Sequence, residues 1–201
     1  MPALLAALIS SYLIGSFPTA YLLVKWLKRV DVRTIGSGNV GATNVSRIAG
    51  FKAGLVVFLI DAGKGFIASR LIAPWLLEPA TTTEALLCGL LAVLGHNFPV
   101  FLKFQGGKGV ATTIGVLIGT MPLVACIYIF VWVLCFFLWH YASVASIAAA
   151  AAIPLAQMPT RDEKSSILLG SCLALLIIIR HRANIERLVQ GTEPRVGKTR
   201  E

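Results

Sequence analysis

The sequence predicts an all-α fold, a polytopic membrane helical bundle of seven transmembrane helices, some short or broken, with the N-terminus outside and the C-terminus cytoplasmic. Three observations predict it. Apolar residues make up 57% of the 201 residues and charged residues only 13%, against about one-quarter charged in a soluble domain. The apolar residues gather in runs near 3–24, 53–72, 84–102, 110–139, 142–158 and 165–179, and a helical crossing needs about 20 such residues. The basic residues collect in alternate connections between those runs, as cytoplasmic loops do.

The run 3–24 has no basic residue before it and exceeds the apolar core of a cleaved signal, so it is read as a retained first helix. The runs 53–72 and 84–102 are the second and third. The run 110–139 is too long for one crossing, and Met121-Pro122 near its middle supplies the break, because proline lacks the amide hydrogen a helix interior needs. It therefore counts as the fourth and fifth helices, with 142–158 and 165–179 as the sixth and seventh.

This topology places Lys25, Lys28, Arg29, Arg33, Arg47, Lys52, Lys103, Lys108, Arg180, Arg182, Arg187, Arg195, Lys198 and Arg200 inside and leaves Arg70, Arg161 and Lys164 outside. A single crossing at 110–139 would put the basic C-terminal tail outside, against the cytoplasmic bias of Lys and Arg. No linker or internal repeat divides the chain, so residues 1–201 are read as one domain, expected as a monomer in the bacterial cytoplasmic (inner) membrane.

The net charge of +9 points to anionic lipid headgroups. Nucleic acid is excluded, because the basic residues flank apolar runs and no basic face with interleaved aromatics occurs. Cys88, Cys126, Cys135 and Cys172 sit singly in apolar runs and read as packing residues. His96, His140 and His181 form no metal-ligand spacing, so neither a metal nor a cofactor is expected.

Three polar, glycine-rich clusters lie against the apolar runs, and the topology puts all three on the cytoplasmic side, where they can converge on one site. The first, Ser37-Gly38-Asn39-Val40-Gly41-Ala42-Thr43-Asn44 with Arg47, combines a backbone free to turn with many donors and a guanidinium. A plain turn capping the second helix through Asn44 or Ser46 would need fewer such residues. The second runs from Gly95-His96-Asn97-Phe98-Pro99 to Gly106-Gly107-Lys108-Gly109 and Thr112. Glycines ahead of a helix leave amides facing an anion, and Lys108 adds charge. The G-x-x-x-x-G-K-[ST] spacing is absent, which argues against nucleotide hydrolysis. The third, His181-Arg182-Ala183-Asn184-Ile185-Glu186, ends the last run with more than a basic stop requires. On a helix His181 and Glu186 face different ways, so Glu186 is expected to pair with Arg182 or another arginine as a structural residue.

Asp61 and Lys64 lie inside the second run, where each charge alone is expensive. Their i, i+3 spacing permits a neutralising structural pair. Ser143 and Ser146 open the sixth run on one helical face, where helix packing accounts for both; Ser143 also stands as a substrate-contact candidate. Intramembrane charges and broken helices are features transporters use, which keeps a phosphate-ester transporter or flippase as the alternative function. No inverted repeat supports it.

The Ser-Gly-Asn-x-Gly-Ala-Thr-Asn-x-x-Arg stretch from Ser37, the Gly-His-Asn-x-Pro…Gly-Gly-Lys-Gly-x-Ala-Thr stretch from Gly95 and the His-Arg-x-Asn-Ile-x-Arg-Leu…Gly-x-Glu ending from His181 resemble the bacterial acyl-phosphate:glycerol-3-phosphate acyltransferases of the PlsY type. The resemblance runs from Gly15-Ser16 to Glu193. It implies an integral membrane enzyme that moves a fatty acyl group from acyl phosphate to glycerol 3-phosphate, giving lysophosphatidate. The H-x-x-x-x-D pair of other acyltransferases is absent here: Phe101, Ala145 and Glu186 follow five residues after the histidines.

A mixed anhydride carries its own good leaving group, so binding and charge stabilisation can supply most of the rate. In this reading Arg47 and Lys108, with the amides of Gly106, Gly107 and Gly109, hold the phosphates. Ser37, Asn39, Asn44 and Thr112 supply neutral donors. His181 and Asn184 orient the hydroxyl, and Thr43, His96, Asn97 and Ser143 complete the substrate contacts. The catalytic set is therefore Ser37, Arg47, Lys108, His181 and Asn184.

Overall fold

The computed structural model describes residues 1–160 and 164–196. Arg161, Lys198 and Arg200, placed above on either side of the membrane, lie outside the described residues. Among those described, every regular element is helical, and the backbone forms two compact units, Met1–Thr120 and Met121–Glu201.

In the first unit, α1 (Pro2–Ser16) and α2 (Thr19–Lys28) are separate helices, where the sequence predicted one. Pro18 removes an amide donor and pushes Phe17 out of the helical region, to ψ 123°. A short helix, α3 (Ala42–Ala49), follows and is divided from α4 (Phe51–Phe66) by Gly50 at φ 88°. The sequence reading took 36–47 as a polar loop and set aside a plain turn capped by Asn44 or Ser46; both residues lie inside α3. The eight-residue helix holds because it is amphipathic: Val45, with Ile48 and Ala49 beside it, joins a buried cluster with Val24, Val57 and Leu102. Val45 is fully buried, a contribution of about 1.5–3 kcal/mol.

From α4 the backbone stays helical through π turns at Ile67–Ile72 into α5 (Ala73–Leu76). α6 (Thr82–Asn97) starts on a capping box, Thr81 with Glu84, and ends where Pro99 forbids continuation, leaving a 3-10 turn at Val100–Leu102. α7 (Val110–Thr120) closes the unit.

Glycine lets these helices approach closely, as is common between membrane helices. A Cβ on Gly15 of α1 would strike the Ala92 carbonyl of α6, and one on Gly95 of α6 would strike the Tyr12 carbonyl of α1. The same reciprocal fit joins α4 and α7.

The second unit opens at the predicted break. Met121 caps α8 (Pro122–Trp139), with proline in the first turn where its missing donor costs nothing. His140, at φ 60°, turns the chain into α9 (Ala142–Gln157), which packs on both α8 and α10 (Lys164–Arg180). α11 (Arg182–Val189) bends from α10 by 54° at His181.

Among the described residues, three stretches are long and apolar enough to cross a bilayer: Pro2–Lys28 at mean hydropathy 1.5, Thr82–Leu102 at 1.9 and Pro122–Trp139 at 2.4. A fourth is reached if α10 and α11 are one bent span; α7 and α9 are apolar but shorter. Only 22% of the α8 window is buried, so most of that helix presents Phe130, Phe137 and their apolar neighbours outward. In a bilayer this is the face lipid covers.

Candidate active site

In the first cluster the chain turns back through Gly36 (φ 65°) and Gly38 (φ 69°), conformations glycine adopts without strain. Asn44 then stitches the turn together. Its side-chain oxygen accepts from the Ser37 amide at 2.9 Å, and its Nδ2 donates toward the carbonyls of Asn39 (2.9 Å), Ile35 (3.1 Å) and Val32 (3.3 Å). The residue is 2% exposed, so the neutral donor expected to face substrate instead shapes the loop that carries Ser37. The Asn39 side chain accepts from the Gly41 amide at 2.8 Å. Since α3 buries Val45, Thr43 and Arg47, one turn apart, face outward. The Arg47 guanidinium and Ser37 hydroxyl have no partner among the described residues and stand open to a ligand.

The second cluster is built around His96. The Gly107 amide donates to the His96 carbonyl at 3.0 Å, and a Cβ on Gly107 would overlap the ring at Nε2. Of the amides expected to hold phosphate, Gly107's is therefore engaged within the protein. Gly109, at φ 82°, lies against Val93 and the Asn97 amide group and leads directly into α7. Asn97 and Thr112 are both 0% exposed, so neither offers its side chain at the surface. Lys108, between them in sequence, is half-buried.

Beside His96 lies a buried ion pair. Lys64 Nζ and Asp61 Oδ1 are 2.6 Å apart, at 5% and 2% exposure. Lys64 also donates to the Phe17 carbonyl at 2.7 Å, and His96 Nδ1 is 3.7 Å from Asp61 Oδ1. The two charges pair with each other, as the i, i+3 spacing allows. The pair satisfies a carbonyl freed at the α1–α2 break and supports the ring on which Gly107 rests. The first and second clusters also meet through the core, where Val40 and Leu102 share one buried group.

In the second unit His181, 2% exposed, caps α11. Its Nδ1 lies 2.8 Å from the Ile177 carbonyl. A carbonyl only accepts, so Nδ1 carries the proton and, in the neutral ring, Nε2 is the basic nitrogen. Asn184 Nδ2 donates to Glu193 Oε1 at 2.6 Å, and Arg187 Nε donates to Glu193 Oε2 at 2.7 Å. Burial alone would raise the Glu193 carboxyl; these hydrogen bonds, with Ser143 nearby, outweigh it and hold the group below its usual range. Ser143 is itself 4% exposed.

Glu193 is thus the acid of this cluster, and Glu186 is not. Glu186 lies on the exposed side of α11 and pairs with neither Arg182 nor any other arginine among the described residues. An exposed i, i+4 pair gains only a few tenths of a kcal/mol, too little to hold two mobile side chains together. The signal for Glu193 was the Gly-x-Glu ending: Gly191, at φ 67°, turns the chain so that the Thr192 and Glu193 amides donate to the Arg187 carbonyl.

The sequence matches the family described as glycerol-3-phosphate acyltransferase over residues 5–191. A glycerol-3-phosphate acyltransferase of Sinorhizobium medicae is 41% identical, covering 98% of this chain and 95% of that protein. One from Geotalea daltonii is 44% identical, covering 96% and 97%. Among solved structures, the glycerol 3-phosphate form of PlsY, an integral membrane glycerol 3-phosphate acyltransferase, superposes with a TM-score of 0.90 at 42% identity over 96% of each chain. Its lysophosphatidic acid form gives 0.87 at 40% identity.

Proposed function

We propose the reaction from one premise: the chain belongs to the glycerol-3-phosphate acyltransferase family. It is an integral membrane acyltransferase of phospholipid synthesis, all-helical in its described residues. It transfers a fatty acyl group from acyl phosphate to glycerol 3-phosphate. A glycerol hydroxyl oxygen bonds to the acyl carbonyl carbon, the carbon–oxygen bond to phosphate breaks, and the hydroxyl proton leaves with the phosphate. The products are lysophosphatidate and phosphate.

The observation that carries this reading is likeness at about 41% identity along nearly the whole chain to relatives named for glycerol 3-phosphate acylation. The side-chain inventory supports it. Arg47 and Lys108 supply charge for phosphate, and Ser37 and Asn39 supply neutral donors at the same turn. The Nε2 of His181 and the Asn184 amide, fixed by Glu193, orient the attacking hydroxyl. Asp61 and Lys64 neutralise each other, which removes the feature that favoured a transporter.

Residues 1–201 act as one enzyme domain, a monomer, with seven crossings, the N-terminus outside and the reacting groups facing the cytoplasm from the inner membrane. The charge bias of the connecting segments and the break at Met121-Pro122 support this topology. Purified protein given acyl phosphate and labelled glycerol 3-phosphate, beside an acyl-CoA control, tests the reaction. Lysophosphatidate should form with acyl phosphate alone; equal product from acyl-CoA rejects the donor.

A further inference from the structure

A groove of about 480 Å³ opens on the first unit, and neither the Ser37–Asn39 turn nor Lys108 lines it. Its walls include Tyr21, Asp31, Arg33, Phe101, Lys103 and Gln105. Arg33 is clamped by Asp31, with Nη2 to Oδ2 at 2.6 Å and Nε to Oδ1 at 3.0 Å, and its guanidinium stacks 5.4 Å from the centre of the Tyr21 ring. Lys25 approaches the same ring at 5.3 Å and donates to its hydroxyl at 3.1 Å. Lys103 has no partner among the described residues. Two lining cations, with Lys25 behind them at Tyr21, therefore outweigh one carboxylate.

The backbone is strained at this place. Lys103 (φ 53°) and Phe104 (φ 63°) are consecutive non-glycine residues in the left-handed region, each costing of the order of 1 kcal/mol and kept where the surroundings enforce it. The groove also lies at the end of an apolar span: Thr82–Leu102 stops in its wall, and Tyr21 comes from the span Pro2–Lys28. Phe101 and Phe104, about 60% exposed, stand beside the charges. Cations with exposed aromatics at the end of a membrane span are the composition of the headgroup layer.

We propose that this groove is a binding site for the headgroup of an anionic phospholipid of the surrounding bilayer, with Lys103 and Arg33 on its phosphate and Phe101 alongside its chains. Charge complementarity selects the class of lipid, since a zwitterionic headgroup would set its own cation against Lys25, Arg33 and Lys103. The occupied site abuts Gln105, one residue before the Gly106–Gly109 loop.

Native mass spectrometry of the full chain, released from nanodiscs containing equal phosphatidylglycerol and phosphatidylcholine, tests the assignment without turnover. Phosphatidylglycerol should be retained over phosphatidylcholine by at least fivefold, the effect of one cation near an anionic headgroup. Lys103→Gln should cut that preference about fivefold, and Lys103→Arg should keep it. Asp31→Asn, which retains an oxygen to accept from the Arg33 amide, should raise it. Equal retention of the two lipids, or a preference untouched by both Lys103→Gln and Asp31→Asn, overturns the proposal. So does displacement of phosphatidylglycerol by millimolar inorganic phosphate, which would make this a free-phosphate site.

Discussion

Gly107 rests on the imidazole edge of His96, with its amide donating to the His96 carbonyl at 3.0 Å. No side chain fits between them. Gly107→Ala should push the loop off His96 and shift Lys108 with it. A displacement near 1 Å at a positioning group can cost about a hundredfold. The expected outcome is kcat/KM lower by roughly that factor, with the melting temperature in detergent little changed.

Arg47→Ala and Lys108→Ala should each lower kcat/KM by about two to three orders of magnitude, the range for losing one charge-stabilising donor in a closed site. Initial rates at low glycerol 3-phosphate measure this; near-normal rates would remove the phosphate role.

The buried Asp61–Lys64 pair predicts a stability pattern. Lys64→Met alone leaves an uncompensated carboxylate, a loss of about 3–5 kcal/mol, whereas replacing both residues by apolar ones of similar volume should recover most of it. Thermal unfolding of the single and double variants in one detergent distinguishes the two cases.

Glu193 predicts a pH dependence. Its folded-state pKa lies below the ordinary value of 4.5, so its contribution is present above that value and lost as the pH falls through the lowered one. Acid-side destabilisation of the wild type should therefore be steeper than that of Glu193→Gln, whose amide does not titrate over this range. Melting temperatures from pH 7 down to about pH 3 provide the comparison.

Asn44→Asp should act as a disruptive change despite its size. A carboxylate accepts from the Ser37 amide but cannot donate to the carbonyls of Val32, Ile35 and Asn39, and each unmet buried group costs about 1–3 kcal/mol. Hydrogen exchange at the Ser37 amide and activity should both report a loosened turn.

Much of this was legible in the sequence because it depends on local chemistry. Met121-Pro122 breaks a helix wherever it occurs, and a lysine three residues from an aspartate in an apolar run has one economical partner. What escaped depended on contacts between distant segments. The break at Phe17-Pro18 carries the same proline signal, but the unbroken apolar run hid it. The packing role of Asn44 needed the loop folded over α3, and nothing in its composition separates a scaffold amide from a substrate donor. Glu193 could be preferred to Glu186 only once the turn at Gly191 was known.

The sparsely buried face of α8 carries an evolutionary corollary. Where hydrocarbon is the main neighbour, any apolar side chain of roughly equal volume serves, so positions such as Phe130 and Phe137 can drift freely among Leu, Ile, Val and Phe. Divergence there records neutral exchange, and catalytic differences among homologues should be sought in the turns.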